Sequence, residues 1–167
     1  MLWLVACGSP PPAPSPALPT GTPPADHHDH ASGTHMAAMA ATRDRLRAEL
    51  GPAYDQPVAG LDDADPAKGS VLYEAHCGSC HGAGGKGDGP AATGLMPSPA
   101  DFTDAFHARY YSDAGRVRII EKGSPDTAMT GFDATLDHQQ ILDLYAHVRA
   151  YREANPAPPD EHEHEHH

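Results

Sequence analysis

The sequence has few basic residues and lacks a long apolar run. Its 167 residues include 11 Lys and Arg against 23 Asp and Glu, which gives a formal net charge of −12. Only Lys68, Lys86 and Lys122 are lysines. Because phosphate groups are bound by clustered basic side chains, this balance argues against nucleic acid as a partner and against electrostatic attachment to an anionic membrane. No stretch has the length of a transmembrane helix.

Cysteine is also scarce, since the chain has only Cys7, Cys77 and Cys80. Residues 4–7, Leu-Val-Ala-Cys, precede Gly8 and resemble the lipobox of bacterial lipoproteins, whose cysteine is lipidated. Only six residues precede Cys7 and none is basic, whereas a signal peptide begins with a positive charge and a longer apolar run. We therefore expect a start farther upstream, a lipid on Cys7, and an extracytoplasmic protein anchored to a membrane in the bacterial periplasm.

A compact domain is expected in only part of the chain. Residues 9–25 contain eight prolines, which is typical of an extended linker, and residues 160–167 alternate acid and histidine. We divide the chain into a signal remnant (1–7), a Pro/His-rich linker (8–35), a short helix with a connector (36–64), a folded domain (65–155) and a tail (156–167). A domain of about 90 residues buries a small fraction of its surface, so a large cofactor would supply missing apolar contacts.

The periodic segments of the chain all predict helices. Residues 36–50 predict a short helix that lies on the domain or frays in solvent. Asp65 with Pro66, Ser112, and the pair Asp137 and Gln140 are helix-start signals. The last helix has one apolar stripe, formed by Ile141, Leu144, Tyr145, Val148 and Tyr151. With no alternating strand pattern, the sequence predicts an all-α domain of three to five helices with long loops and disordered extensions at both ends.

The motif that carries chemistry is Cys77-Gly78-Ser79-Cys80-His81, the C-x-x-C-H signature for attachment of c-type haem. Two thiols three positions apart on one helical turn reach the two vinyl groups of a porphyrin, and the following histidine can ligate the iron. A redox dithiol would be expected in a strand–helix–strand setting, and a zinc site would require two further Cys or His ligands. A chance match of five residues is the remaining alternative.

Residues 69–151 resemble class I bacterial cytochromes c. Gly69, Tyr73 and Cys77 have the spacing of that family's first helix, and Tyr145 matches the aromatic residue of its last helix. The loops 82–90 and 99–102 are similar to those of the soluble bacterial branch. The resemblance implies a small cytochrome c fold around one covalent haem c, with two helices crossing at the glycine.

The resemblance also implies a sixth iron ligand opposite His81. Met129 lies between the third and last helices, where the family has its methionine, and Met96 is the alternative. By the same resemblance, the carbonyl group of Pro90 is the expected acceptor for the second ring nitrogen of His81. Four side chains are candidates to reach the haem propionates, or are ordinary surface residues: Arg109, Tyr110, Arg116 and Arg118.

With both axial positions filled, the iron has no open position for a substrate. We therefore expect a one-electron carrier and not an enzyme, serving a respiratory oxidase or reductase outside the cytoplasm. Imidazoles among carboxylates bind copper and zinc, so the histidine-rich ends suggest an alternative, a metal-handling or copper-reducing lipoprotein. The histidines near the N-terminus are His27, His28, His30 and His35, and those near the C-terminus are His162, His164, His166 and His167.

Overall fold

A computed structural model describes residues 33–157 of the chain. Cys7 and the terminal histidines, apart from His35, lie outside this range. The described α-helices are α1 (Gly33–Leu50), α2 (Pro66–His76), α3 (Gly78–His81), α4 (His107–Tyr110), α5 (Asp113–Lys122) and α6 (His138–Ala154), with a 3₁₀ helix at Gly51–Asp55. Within residues 33–157 no strand forms, and only an isolated bridge joins Gly123 and Thr130. The all-α prediction is confirmed.

Three of these helices begin at the residues that the sequence indicates. The Asp65 carboxylate accepts hydrogen bonds from the backbone N–H groups of the first turn of α2, and the Ser112 hydroxyl accepts one from Gly115 in α5. At α6 a reciprocal capping box joins Asp137 and Gln140. Each contact satisfies backbone donors that a helix start leaves unpaired.

Helices α2 and α6 cross in direct backbone contact at Gly69. A Cβ atom at this position would lie 1.9 Å from the carbonyl oxygen of Asp143. The Asp143 carboxylate in turn accepts a 2.8 Å hydrogen bond from the backbone N–H of Asp65. Any larger side chain at position 69 would separate the helices, so the glycine allows this close crossing.

The core lies between this helix pair and α5. Tyr145, Ile141, Leu142 and Leu144 of α6 are at most 2% exposed. The remaining core side chains are Leu61, Tyr73, Cys77, Val117, Ile120, Leu136 and Val148. Burial of large apolar side chains contributes roughly 1.5–3 kcal/mol for each, so α6 is the main source of core stability.

Helix α1 lies on the domain instead of fraying. Its Leu46 is 2% exposed, and the Tyr54 hydroxyl of the following 3₁₀ helix accepts a 3.2 Å hydrogen bond from the Ser112 backbone N–H. Arg118 of α5 also pairs with Glu49 of α1. Between residues 33 and 157, no helix is both long and apolar enough to cross a bilayer.

Candidate haem site

The C-x-x-C-H residues occupy the short turn that follows α2. Cys77 ends α2, its backbone N–H donating to the Tyr73 carbonyl group, and α3 then brings Cys80 and His81 onto the same turn. Both thiols are free; Cys77 is 7% exposed and Cys80 is half-buried. The structure therefore brings two unpaired thiols and one imidazole together at the edge of the core.

The protonation of these groups fits attachment of a cofactor better than redox exchange. Burial, with a smaller contribution from Cys80, raises the pKa of the Cys77 thiol to about 11. Reactive dithiols have a lowered thiol pKa, so the redox alternative is disfavoured. Burial lowers the pKa of His81, which keeps the imidazole in the neutral form that ligates metals.

The glycine-rich loop after His81 folds back onto the motif. The Gly87 backbone N–H donates to the His81 carbonyl at 2.8 Å, and the Gly89 N–H donates to the Cys80 carbonyl at 3.1 Å. A Cβ atom at Gly89 would lie 2.3 Å from the Ser79 carbonyl oxygen. The loop and the turn are therefore in backbone contact, which requires a residue without a side chain at position 89.

Two tyrosines attach this loop to the helix pair. The Tyr73 hydroxyl of α2 donates to the Gly82 carbonyl at 2.8 Å, and the Tyr151 hydroxyl of α6 donates to the Ala83 carbonyl at 2.9 Å. The loop that directly follows the predicted iron ligand His81 is thus fixed to both crossing helices.

The His81 ring is oriented by the segment that follows the loop. Its Nδ1 atom lies 3.1 Å from the Ala100 carbonyl oxygen, and its ring stacks on Phe102 with centroids 4.6 Å apart. In this structure the Nδ1 atom therefore meets the Ala100 carbonyl and not that of the predicted acceptor, Pro90. Because the Phe102 backbone N–H donates to the Gly85 carbonyl at 2.7 Å, the segment that contains Ala100 and Phe102 passes next to the imidazole instead.

The predicted sixth ligand, Met129, lies in the loop between α5 and α6. The Thr127 hydroxyl donates to the Ser124 carbonyl at 2.7 Å and accepts from the Met129 backbone N–H at 3.1 Å. The Ser124 N–H donates to the Met129 carbonyl at 2.9 Å. Met129 is half-buried, whereas the alternative Met96 is 86% exposed. The loop geometry and burial favour Met129, which stays a prediction.

Of the candidate arginines, Arg116 differs from the others. It is 9% exposed, its Nε atom has no hydrogen-bond partner among the described residues, and its guanidinium group donates to the His107 carbonyl. Arg109 instead donates to carbonyl groups at the end of α6, and Arg118 pairs with Glu49. A buried guanidinium without a carboxylate partner is costly, and a propionate would compensate its charge.

These residues fit a covalently bound haem c. Cys77 and Cys80 would hold the haem covalently, His81 and Met129 would ligate its iron, and Arg116, whose guanidinium lies 5.9 Å from the centroid of the Phe102 ring, would compensate the negative charge of a propionate. When bound, the haem supplies one-electron redox chemistry. The chain's own residues orient the His81 imidazole, hold the loop that contains Met129 and place the positive charge of Arg116 inside the domain.

Neither the contacts of His81 with Ala100 and Phe102 nor the loop contact of Tyr151 was predicted from the sequence. Ala100 acts through its backbone carbonyl, so its residue type contains no signal. Tyr151 does belong to the apolar stripe of α6, and a tyrosine at the end of such a stripe indicates a buried ring with a hydroxyl partner.

Comparison with known proteins identifies the family of the chain. The sequence profile described as "Cytochrome c" matches residues 66–151. The dihydro-heme d1 dehydrogenase of Pseudomonas aeruginosa is 34% identical over 100 residues, which are 59% of this chain but 18% of that protein. A chain of the Kuenenia stuttgartiensis reducing HAO-like protein complex has 22% identity and a TM-score of 0.46, over 57% of this chain and 46% of its own. The chain belongs to the cytochrome c family.

Proposed function

We propose that the chain is a membrane-tethered one-electron carrier with one haem c, working in a respiratory chain outside the cytoplasm. The observation that carries this proposal is that both predicted axial ligands lie in segments closed by their own hydrogen bonds. His81 contacts Ala100 and Phe102, and the Met129 loop is closed through Thr127. With both ligands retained, iron changes its oxidation state with little rearrangement, as electron transfer requires.

We also propose that the chain is not an enzyme. Met129 would fill the position that a substrate would need. The relative whose printed name is a dehydrogenase is more than five times longer than the shared part, since this chain spans 18% of it. Because the shared part is a small fraction of that protein, we do not extend its dehydrogenase activity to this chain.

The proposed tether is a lipid on Cys7, which lies outside the described residues. A lipid on Cys7 and the proline-rich linker would hold the domain near a membrane oxidase or reductase and raise its effective concentration there. In the native host, Cys7→Ser should release the protein from the membrane fraction. Unchanged membrane attachment would contradict the tether and leave the haem assignment intact.

The decisive experiment compares two methionine variants of the haem-loaded protein. Met129→Ala should abolish the weak long-wavelength absorption band of a methionine–Fe(III) bond, lower the reduction potential and allow carbon monoxide to bind the reduced iron. Met96→Ala is the matched control and should change none of these. The reverse pattern would assign the ligand to Met96. Carbon monoxide binding by the unaltered protein would refute the closed site and reopen an enzymatic function.

Covalent attachment of the haem to Cys77 and Cys80 is tested by a separate measurement. Haem should remain with the polypeptide after denaturation in acid acetone, and Cys77→Ala with Cys80→Ala should release it into the solvent. A colour that is extracted from the unaltered protein would contradict haem c and leave only a non-covalent site.

A second candidate function is metal handling, which the histidine-rich ends suggest. The observation that favours it within the described residues is the contact between the imidazoles of His35 and His107. Deleting both histidine-rich ends should leave electron carrying intact and should abolish a metal-handling function.

A further inference from the structure

Two histidines far apart in sequence meet at the junction of α1 and α4. The Nε2 atom of His35 lies 3.1 Å from the Nε2 atom of His107, and the ring planes are inclined by 79° with centroids 5.1 Å apart. Each Nε2 is thus directed at the same small volume. Two imidazole nitrogens that converge on one point are a common arrangement for binding a transition metal.

Asp104 fixes the orientation of the second ring. Its Oδ1 atom accepts a 2.7 Å hydrogen bond from the His107 backbone N–H and lies 3.4 Å from His107 Nδ1. The Asp104 backbone N–H in turn donates to the Asp101 carboxylate. A carboxylate beside Nδ1 favours the tautomer with a proton on that atom, which leaves Nε2 as the metal-binding nitrogen.

We propose that His35 and His107 bind one divalent transition-metal ion, with copper preferred over zinc. An ion about 2.05 Å from each Nε2 would subtend about 98° across the observed 3.1 Å separation, by twice the arcsine of 1.55/2.05. That angle lies between the square-planar and tetrahedral values. Copper(II) is preferred because it ranks highest among divalent ions at nitrogen sites.

His35 and His107 are the ligands of the proposed site that lie in the described part of the chain, where no group of three or more His, Cys, Asp or Glu residues could hold a metal ion.

The site is connected to the predicted haem ligand through packed side chains. The His107 carbonyl accepts from Arg116, whose guanidinium lies over the Phe102 ring, and Phe102 stacks on His81. A divalent charge at His107 would therefore act on the haem across the buried Arg116 and the half-buried Phe102 and His81 rings. Because added positive charge disfavours the oxidised iron, we expect bound metal to raise the reduction potential.

The competing explanation is an ordinary hydrogen bond between two neutral imidazoles. Such a bond needs a proton between the two Nε2 atoms and gives no one-to-one metal stoichiometry. Metal titration separates the two explanations, provided that the histidine-rich ends do not obscure the result.

The experiment uses the haem-loaded full chain in which histidines 27, 28, 30, 162, 164, 166 and 167 are replaced by glutamine. This background should bind one equivalent of Cu(II), and one of Zn(II) more weakly, by calorimetric titration. His35→Gln or His107→Gln should each remove the saturable site. Asp104→Asn should weaken binding roughly 10–100-fold, the usual effect of losing a group that orients a metal ligand.

The matched control is His138→Gln, which replaces a histidine whose side chain is 65% exposed and lies beside Glu121. It should leave the titration unchanged. The electron paramagnetic resonance spectrum of bound Cu(II) should show coupling to two equivalent nitrogens, and the haem absorption spectrum of each variant verifies its fold. A background chain that binds no more copper than its His35→Gln, His107→Gln double variant would overturn the site, whatever the outcome for electron transfer.

Discussion

The two segments that would face the haem from opposite sides differ in how they are attached to the domain. The proximal segment (residues 77–102) bonds to both crossing helices through Tyr73 and Tyr151 and contacts its own turn at Gly89. The distal loop (residues 123–132) is closed mainly by local bonds around Thr127 and by the Phe132 N–H, which donates to carbonyls at the end of α5.

This difference implies an order of local stability. The buried Tyr73 contact to α2 breaks only when the core opens, whereas bonds within a short loop break by local opening. We therefore expect the imidazole side to follow the global stability of the domain, and the thioether side to open independently and more often. Three substitutions test this order: Gly89→Ala in the proximal segment, Asp113→Asn in the helix that supports the distal loop, and Thr127→Val in the distal loop itself.

The largest effect should come from Gly89→Ala in the proximal segment. The new Cβ would lie 2.3 Å from the Ser79 carbonyl oxygen, and its other nearest atoms are also backbone, so the loop must move away from the haem-binding turn. We expect a loss of about 3 kcal/mol in the free energy of unfolding, near the upper end for an overpacked site. Denaturant unfolding of the haem-loaded protein measures it.

Gly84→Ala is the control for this change. A Cβ atom there has Lys86 Cγ as its nearest neighbour at 3.9 Å, an ordinary contact, so the unfolding free energy should remain nearly unchanged. Equal losses in the two variants would mean that the close approach at Gly89 does not determine the stability of the proximal segment.

An intermediate loss in the free energy of unfolding is expected from Asp113→Asn at the start of α5. Its carboxylate accepts from the Tyr145 hydroxyl at 2.7 Å and from Arg152 at 2.8 Å, so it joins α5 to α6. Burial raises the pKa of Asp113, but the hydrogen bonds from Arg152 and Tyr145 outweigh burial and leave it below the ordinary value. Loss of the charge should cost about 1–3 kcal/mol at neutral pH.

The sign of the pH dependence follows from the lowered pKa. A carboxylate with a lowered folded-state pKa stabilises the protein fully at pH values above its unfolded-state pKa of about 3.9. That stabilisation is lost as the pH falls through the folded-state pKa. The stability difference between the unaltered protein and Asp113→Asn should therefore shrink below about pH 4. A difference that stays constant to pH 2 would show that the charge of Asp113 is not the stabilising feature.

The smallest effect on global stability should come from Thr127→Val in the distal loop. The change removes the two hydrogen bonds that close the loop, at about 1 kcal/mol each, but leaves the core intact. We expect cyanide to replace the methionine of the oxidised protein roughly 5–30-fold faster, as 1–2 kcal/mol implies. Thr130→Val, in the same loop, should leave the rate unchanged. A slower rate would contradict the independent opening of the distal loop.

The helix starts and the haem-binding motif were predictable because their signals are local. Asp65, Ser112 and Asp137 bond to backbone groups two or three residues away, and Cys77 and Cys80 are separated by a single turn. Such contacts depend on residue type and spacing, which a sequence displays directly.

The remaining contacts depend on the paths of long loops. Pro90 and Ala100 are both carbonyl acceptors within the same irregular stretch, and only the path of the chain past Gly85 decides which one meets His81. The packing of Leu46 in α1 and the meeting of His35 with His107 are likewise tertiary contacts, for which residue type gives no partner.

The burial of Cys77 determines when the cofactor can be attached. Cys77 is 7% exposed and belongs to the core cluster that also contains Tyr145 and Val148 of α6, so an attaching enzyme would reach its thiol poorly in the folded chain. We therefore expect bond formation to precede the meeting of two helices about 70 residues apart in sequence, a slow non-local step in folding. The chain would then be unfolded when the haem is attached, and α2 and α6 would pack together around the porphyrin afterwards. Maturation of this protein is consequently ordered in time, with chemistry first and folding second.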